Sequence, residues 1–210
     1  VTLVDVGARD GLQNEKQNVE TVHKVELVHR LTAAGLREVE VTSFVSPKWV
    51  PQMSDNSAVM AGLQRKPGVR YSVLVPNMKG LEAALPTQPD EVVVFGAASE
   101  AFSQRNINCS IEESIERFRP VAQAARAAGV KVRAAISCAL GCPYQGEVSL
   151  DDVERVVRLM KDIGVQHVGI ADTIGVGTAR RAQAAMERAL KHYPLAEVSE
   201  VCRRHGKGLI

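Results

Sequence analysis

The sequence has few aromatic residues and no marked excess of positive charge, and each of these shortages excludes a class of protein. Aromatic residues make up 4% of the 210 residues, too few for the stacked-base platforms of single-strand binders. Lysine and arginine number 26 against 24 aspartates and glutamates, which argues against a bulk electrostatic nucleic-acid binder. We therefore expect no nucleic-acid partner, although a local basic site for a phosphorylated ligand stays open.

Long apolar runs and a disulfide pattern are also missing. No run of about 18 apolar residues is present, so we expect no membrane span, and no signal-peptide pattern opens the chain. The four cysteines are few and irregularly spaced, which favours free thiols in a reducing compartment (Cys109, Cys138, Cys142 and Cys202). The spacing of Cys138 and Cys142 gives weak support to a zinc site, and buried thiols are the favoured interpretation.

The sequence does contain short β-branched runs that alternate with longer helical patterns, in units of roughly 30 residues. The predicted strands cover residues 2–6, 38–42, 70–75, 91–95, 131–137 and 167–171, and residues 195–201 could begin a seventh. The predicted helices cover residues 22–34, 111–128, 150–163 and 179–192. Such alternation predicts parallel strands joined by right-handed crossovers.

Two parallel architectures compete for this pattern. A doubly wound sheet usually has a glycine-rich phosphate turn after its first strand, whereas the first turn here reads GARDGLQ. A (β/α)₈ TIM barrel places its chemistry at the ends of many strands, as the polar residues do here (Arg9–Asp10, Thr42–Ser43, Asn77, Ser99–Glu100, Ser137 and Asp172–Thr173). We predict an α/β TIM barrel over residues 1–197. A complete barrel has about 250 residues, so we expect six to seven βα units here, with a divergent tail at residues 198–210.

Three charged residues near the first two strands are candidates for chemistry. Asp10 is a hard oxygen ligand suited to Mg²⁺ or Mn²⁺, and Arg9 can bind a carbonyl oxygen that becomes an enolate oxygen. A simple local ion pair between them is the alternative. Glu40 alternates with Val39 and Val41 in the second strand. A buried carboxylate needs a partner, and we expect Arg9 to be that partner if both side chains reach the barrel mouth; the alternative is a layer-filling residue.

Asp172 and the histidines allow further interpretations. Asp172 follows the sixth strand as either a base or the N-cap of a helix, and the local sequence favours the cap. The histidines in helical patterns, His23, His29 and His192, are typical of surface or packing positions. His167 has no second histidine two or four residues away, so we expect no histidine metal pair there.

Six long stretches, in order along the chain, resemble one known family. They are VGARDGLQNEK (6–16), TSFVSPKWVPQM (42–53), VPNMKGLEAA (75–84), VVVFGAASEAFSQRNINCSIEES (92–114), SCALGCPYQG (137–146) and DTIGVGT (172–178). Together they resemble the 3-hydroxy-3-methylglutaryl-CoA lyases, within the wider group of metal-dependent barrel lyases and Claisen-type condensing enzymes. The resemblance covers about residues 1–197. It implies a TIM-barrel carbon–carbon lyase of leucine degradation and ketone-body metabolism, which forms acetyl-CoA and acetoacetate with Mg²⁺ or Mn²⁺.

The resemblance also implies a role for individual residues. Arg9 resembles the arginine that stabilises the enolate of departing acetyl-CoA, and Asp10 resembles a metal-ligand aspartate. Asp172 resembles the acidic residue that assists proton transfer. Gln13 and Ser43 resemble supporting residues around the substrate and the arginine. Glu40 resembles such a residue as well, and we count it with the catalytic residues. The implied partners are an acyl-CoA thioester and a second subunit. The implied compartment is the cytoplasm of a bacterium or the mitochondrial matrix of a eukaryote.

The end of the sequence departs from the family pattern. The family's seventh strand supplies two metal-binding histidines as H-x-H, and the corresponding positions here are Val201 and Arg203, with His205 alone nearby. We therefore expect a weakened metal site, little or no lyase activity in this chain, and a sequence truncated or altered after about residue 197.

Two alternative functions stay open. One is a condensing enzyme that joins acetyl-CoA to a 2-oxo acid, although such enzymes continue Glu-Gln where this sequence has Leu12 and Gln13. The other is a non-catalytic barrel fragment. Four loop cations are candidates for the phosphates of CoA, although each is more simply a solvated residue (Lys16, Lys48, Lys79 and Arg105).

Overall fold

A computed structural model describes residues 2–202, with the backbone alone for Cys202. Its strands are β1 Val4–Asp5, β2 Glu38–Ser43, β3 Arg70–Leu74, β4 Glu91–Ala97, β5 Lys131–Ser137, β6 His167–Asp172 and β7 Val198–Cys202. Its helices are α1 Thr21–Ala33, α2 Asn56–Ala61, α3 Met78–Ala84, α4 Glu100–Ile107, α5 Ile111–Ala127, α6 Leu150–Asp162 and α7 Ala179–Leu190. None of these helices has the length and hydropathy of a membrane span.

The first of two compact units extends to Val93 and includes Ala127–Lys131. Its strands β1, β2, β3 and the start of β4 pair in parallel with their sequence neighbours. Val39 and Val41 of β2 are buried, as the alternation predicts. The register between β2 and β3 shifts between Glu40 and Thr42, and such a bulge re-aims side chains at a strand end.

The second unit comprises Val94–Arg126 and the described residues from Val132 onward. Just after β4, the Ala98 N–H donates to the Ser137 carbonyl at 2.9 Å, and β5, β6 and β7 pair in parallel in that order. Helix α6 buries one face (Val153, Val156, Val157 and Met160). It packs closely on β4, because a Cβ added at Gly96 would lie 2.6 Å from Met160 Cε.

The helix boundaries follow the capping residues of the sequence. Ser110 and Glu113 cap each other's backbone N–H groups at 2.8 and 3.1 Å, the reciprocal pattern of a capping box. The Ser149 hydroxyl accepts from the Asp152 N–H at 3.0 Å and begins α6. Gly35 follows α1 in the left-handed region, with φ of 100°, which glycine adopts without a Cβ clash.

The predicted fold class is confirmed in both units, because consecutive parallel strands are separated by helices, as in a TIM barrel. Three details differ from the sequence expectations. Strand β1 is only two residues long. Helices α2, α3 and α4 lie outside the predicted helices. A 3₁₀ turn occupies Leu195–Glu197 before β7, where the predicted seventh strand begins. The boundary at residue 197 stays a prediction, and residues 203–210 of the expected tail lie outside the described residues.

Candidate active site

A tight π-helical turn, Gly7–Gly11, places Arg9 beside Asp10 directly after β1. The N–H groups of Arg9, Asp10 and Gly11 all approach the Val6 carbonyl, at 3.2, 2.7 and 3.4 Å. Single π turns are rare in proteins, and those that occur often lie at functional sites. The segment predicted as the first strand therefore ends earlier than expected, and the turn aims both charged side chains.

The Arg9 guanidinium lies between two carboxylates. Its Nε donates to Glu40 Oε1 at 2.6 Å, and one terminal nitrogen donates to Asp10 Oδ1 at 2.8 Å. The expected contact between Glu40 and Arg9 is therefore present, across 31 residues of sequence. The ion pair between Arg9 and Asp10 that was the alternative is present as well.

The Arg9–Glu40 pair is largely removed from solvent. The Glu40 side chain is 1% exposed, and that of Arg9 is 13% exposed. Such a pair must offset the loss of hydration of both charges. A guanidinium has five N–H donors in a rigid fork, and the two contacts above leave donors for a ligand oxygen.

Ser43 ends β2 with a buried hydroxyl. Among the residues that the structure describes, its Oγ has no hydrogen-bond partner. A buried polar atom without a partner is costly, so this hydroxyl is suited to a ligand group. Gln13, the other residue expected near the substrate, is half-buried just after the turn that carries Arg9 and Asp10.

The described residues do not complete a metal site. Within residues 2–202 no group of three or more histidine, cysteine, aspartate or glutamate side chains is placed to hold a metal ion. Asp10 offers one carboxylate, and its Oδ1 already accepts from Arg9. Val201, one position expected from the family pattern to be histidine, is aligned with Ala171 in the β6–β7 pair and carries no ligand atom. Arg203 and His205 lie outside the described part of the chain.

Asp172 belongs to the second unit and is held by its own loop. Its Oδ1 accepts from the Val176 N–H at 3.1 Å, and its Oδ2 accepts from the Gly177 N–H at 2.9 Å. The expectation that Asp172 is the N-cap of the next helix is wrong, because Thr178 caps α7 through the Arg181 N–H. A carboxylate can accept about four hydrogen bonds, so Asp172 keeps acceptor capacity for a ligand.

The cysteines near Asp172 are buried free thiols, as expected. Burial raises the pKa of Cys138 to about 12. Burial also acts to raise the pKa of Cys142, but hydrogen bonds from Ser99, Gln145 and Tyr144 lower it below its ordinary value. The Ser99 hydroxyl lies 3.0 Å from Cys142 Sγ. Within residues 2–202 the two thiols belong to no group of three or more ligand side chains placed to hold a metal ion.

Three histidines serve in packing or surface contacts. His29 Nε2 accepts from the Gln64 N–H at 2.9 Å, and His192 Nε2 lies 3.2 Å from Glu154. His167 Nε2 lies 3.0 Å from the Ser199 hydroxyl. Of the four loop cations, Arg105 stacks over the Tyr144 ring at 4.4 Å, and the three lysines are exposed.

No pattern in the sequence predicts a polar cluster of Lys24, Gln52 and Asp55, which we call the clasp. Lys24 and Gln52 are buried, and Asp55 is half-buried. Lys24 Nζ donates to Asp55 Oδ1 at 2.7 Å and to the Gln52 carbonyl. The Lys24 side chain is 4% exposed, although a lysine in a helical pattern is ordinarily a solvated residue. Only the tertiary fold brings these residues together, since Lys24 and Asp55 are 31 positions apart.

A family model and two similar relatives point to the same protein family. The chain matches the HMGL-like family model over residues 1–205. It is 56% identical over 194 residues to a 3-hydroxy-3-isohexenylglutaryl-CoA/hydroxy-methylglutaryl-CoA lyase of Pseudomonas aeruginosa, covering 92% of this chain and 65% of that protein. It is 51% identical over 202 residues to the mitochondrial hydroxymethylglutaryl-CoA lyase of Rattus norvegicus, covering 96% of this chain and 62% of that protein.

The solved structures agree with the sequence comparison. A crystal structure of hydroxymethylglutaryl-CoA lyase from Pseudomonas aeruginosa superposes with a TM-score of 0.92 and 54% identity. The match covers 95% of this chain and 67% of that one. The chain therefore spans slightly less than two thirds of the curated relatives above and about two thirds of this solved structure.

Proposed function

The chain belongs to the HMGL-like family, and on that premise we propose that the protein cleaves 3-hydroxy-3-methylglutaryl-CoA into acetyl-CoA and acetoacetate. In this retro-Claisen reaction the tertiary hydroxyl loses its proton and the C2–C3 bond breaks. The bond electrons move onto the thioester carbonyl oxygen, which becomes an enolate, and C3 becomes the ketone of acetoacetate. Protonation of the enolate carbon then gives acetyl-CoA.

Arg9 is the residue that we assign to the enolate oxygen. The observation that carries this role is its fixed guanidinium, held on one side by Glu40 at 2.6 Å and on the other by Asp10 at 2.8 Å. A preorganised cation stabilises charge that develops in the transition state without reorganising at that moment. Glu40 therefore acts by aiming Arg9, and the Ser43 hydroxyl and Gln13 are proposed to contact the substrate nearby.

Asp172 is proposed to assist proton transfer. Its carboxylate is fixed by two backbone N–H groups, so it can present a remaining lone pair in a defined direction. General acid–base groups of this kind act when they lie within hydrogen-bond reach of the proton that moves.

A divalent cation, Mg²⁺ or Mn²⁺, is the cofactor that the family resemblance implies. It would lower the pKa of the substrate hydroxyl, and Asp10 would be one of its ligands. The described residues do not fit a complete site, because Asp10 is a single carboxylate and Val201 has no donor atom. The roles given to Arg9, Glu40 and Asp172 do not depend on the cation.

The incomplete set of metal ligands among the described residues leads us to keep the expectation of little or no lyase activity in this chain. Substitution of Val201 and Arg203 together by histidine should raise its Mn²⁺ affinity, measured by titration calorimetry. An unchanged affinity would show that these positions do not limit the site.

The test is a single-turnover assay with the protein in excess over the thioester, so that a slow reaction is still detected. We expect acetyl-CoA and acetoacetate in equal amounts. A steady-state rate matching that of an established lyase would contradict the expected impairment. No product even from the chain that carries both Val201→His and Arg203→His, with Mn²⁺ added, would contradict the proposed reaction. A parallel incubation of acetyl-CoA with a 2-oxo acid tests the condensing alternative, for which we expect no product.

Partners and compartment stay predictions. The relatives named above include a bacterial protein and a mitochondrial one, so both expected compartments have a counterpart among them. An acyl-CoA thioester is the proposed substrate, and a homodimer is the proposed assembly. Light scattering of the purified chain tests the assembly and also the alternative of a non-catalytic, self-associating fragment.

A further inference from the structure

The loop between β2 and α2, residues 44–55, carries an unusual exposed side chain. Trp49 is 86% exposed and is the only tryptophan in the sequence. A hydrogen-bonded turn presents it, because the Trp49 and Val50 N–H groups both donate to the Ser46 carbonyl, at 2.9 and 3.1 Å. The exposed Lys48 precedes it. An indole face with an adjacent ammonium group is suited to a base and a phosphate.

The clasp fixes the far end of this loop. The Lys24 ammonium from α1 joins the Gln52 carbonyl to the Asp55 carboxylate. The second oxygen of Asp55 accepts from the Thr21 hydroxyl at 2.7 Å. Because a buried ammonium is expensive to leave unpaired, these contacts restrain the loop strongly.

The clasp also reaches the segment that follows Arg9 and Asp10. The Gln52 side-chain oxygen accepts from the Val19 N–H at 2.9 Å, and its amide nitrogen donates to the Gln17 carbonyl at 2.8 Å. Gln52 is 6% exposed. One buried amide and one buried ammonium thus connect the Trp49 loop, α1 and the segment that follows the π-helical turn.

We propose that Lys24 is a positioning residue, which acts through Gln52 and Asp55 to hold the loop of residues 44–55 so that Trp49 and Lys48 receive the nucleotide end of the acyl-CoA thioester. The inference rests on the proposed function, because the family activity supplies the thioester. Restraining the loop beforehand removes an ordering cost that binding would otherwise include. Lys24 itself does not touch the substrate.

The experiment measures the affinity of the full chain for CoA through the fluorescence of Trp49. In the unsubstituted chain we expect CoA to quench this emission. Lys24→Met keeps most of the side-chain volume but removes the ammonium, and should weaken CoA binding by about tenfold, the effect of losing one base–aromatic stack. Arg30→Met is the matched control, because it removes an exposed ion pair with Glu26 on the same helix, and should leave the affinity unchanged.

Pantetheine, which lacks the nucleotide, separates positioning from a general loss of structure. Its affinity, measured by calorimetry, should be the same in Lys24→Met and the unsubstituted chain. Equal weakening of CoA and pantetheine binding, or no weakening of either, would overturn the positioning role while leaving the proposed reaction intact. If the unsubstituted chain does not bind CoA, the positioning role is overturned, and the single-turnover assay decides the proposed reaction separately.

Two other variants keep the test available if Lys24→Met does not fold. Asp55→Asn retains a neutral acceptor and should weaken CoA binding less, but again without an effect on pantetheine. Trp49→Ala leaves the clasp intact and should lower CoA affinity by calorimetry about as much as Lys24→Met. Full CoA affinity in Trp49→Ala would contradict the nucleotide contact.

Discussion

Glu40 of β2 and Asp172 of β6 are held in contrasting ways. Glu40 contacts a guanidinium that is 31 positions away in sequence, whereas Asp172 accepts N–H groups from residues only four and five positions further on. A buried long-range ion pair is weak evidence for stability, since desolvation offsets much of the attraction. Hydrogen bonds from a loop's own backbone stabilise that loop directly. The contrast agrees with the proposal that the Arg9 cluster serves the reaction, whereas Asp172 combines a loop contact with its proposed role.

The largest expected effect is on the cluster itself. Arg9→Met should lower the single-turnover rate of acetyl-CoA formation by about 10² to 10³, the usual loss when one oxyanion donor is removed. Arg30→Met, whose guanidinium is exposed, should keep the rate. Equal rates for Arg9→Met and the unsubstituted chain would remove Arg9 from the mechanism.

Glu40→Gln sharpens the comparison by breaking the buried pair while preserving shape. We expect a loss of about 3 kcal/mol in the free energy of unfolding, because Arg9 loses the more deeply buried of its two carboxylate partners and keeps only Asp10. The measurement is urea denaturation. Glu26→Gln removes the carboxylate of an exposed pair on α1 and should leave the midpoint unchanged; a similar midpoint for both variants would contradict the long-range role.

Asp172→Asn separates the two roles of the local carboxylate. We expect a rate loss of about 10² from the missing general acid–base group, together with a loss of only about 1 kcal/mol in stability. Asp90→Asn is the control, since Asp90 Oδ2 likewise accepts a backbone N–H, from Tyr71 at 2.8 Å. Its rate should be unaffected. If the rate loss, expressed as a free energy, is no larger than the loss of stability, Asp172 acts only as a loop contact.

The smallest effect is expected from crowding the loop that holds Asp172. A Cβ at Gly177 would contact a methyl group of Leu140 and lie 2.9 Å from Asp172 Oδ2, so Gly177→Ala should lower stability by about 1 to 2 kcal/mol. Thermal unfolding measures this. At Gly11 an added Cβ meets nothing within 4 Å, and Gly11→Ala should unfold close to the unsubstituted midpoint.

The parts of the fold and site with a local cause could be predicted from the sequence. Alternation in β2 placed Val39 and Val41 on one face and Glu40 on the other, and the strand order then brought Glu40 to Arg9. The π turn at Gly7–Gly11 could not be predicted, because five residues carry no periodicity. The local sequence favours Asp172 as a helix cap over its alternative as a base, but Thr178 is the cap in the structure. Both residue types suit an N-cap, and only the path of the loop distinguishes them.

The clasp could not be predicted for a different reason. Lys24 occupies a position in α1 where a charged side chain is ordinarily solvated, and its burial depends on acceptors 28 and 31 positions away. The residues next to Lys24 in the sequence do not indicate such long-range contacts. They arise because Gln52 and Asp55 of the loop contact Lys24 of α1.

The most direct test of the central assignment is exchange of the methyl hydrogens of acetyl-CoA in deuterated water, followed by mass spectrometry, because exchange requires the enolate that Arg9 is proposed to stabilise. We predict deuterium incorporation with the unsubstituted chain and with Arg30→Met, and a loss of about 10² or more with Arg9→Met. Incorporation at the same rate in Arg9→Met, or none with the unsubstituted chain, would contradict the account.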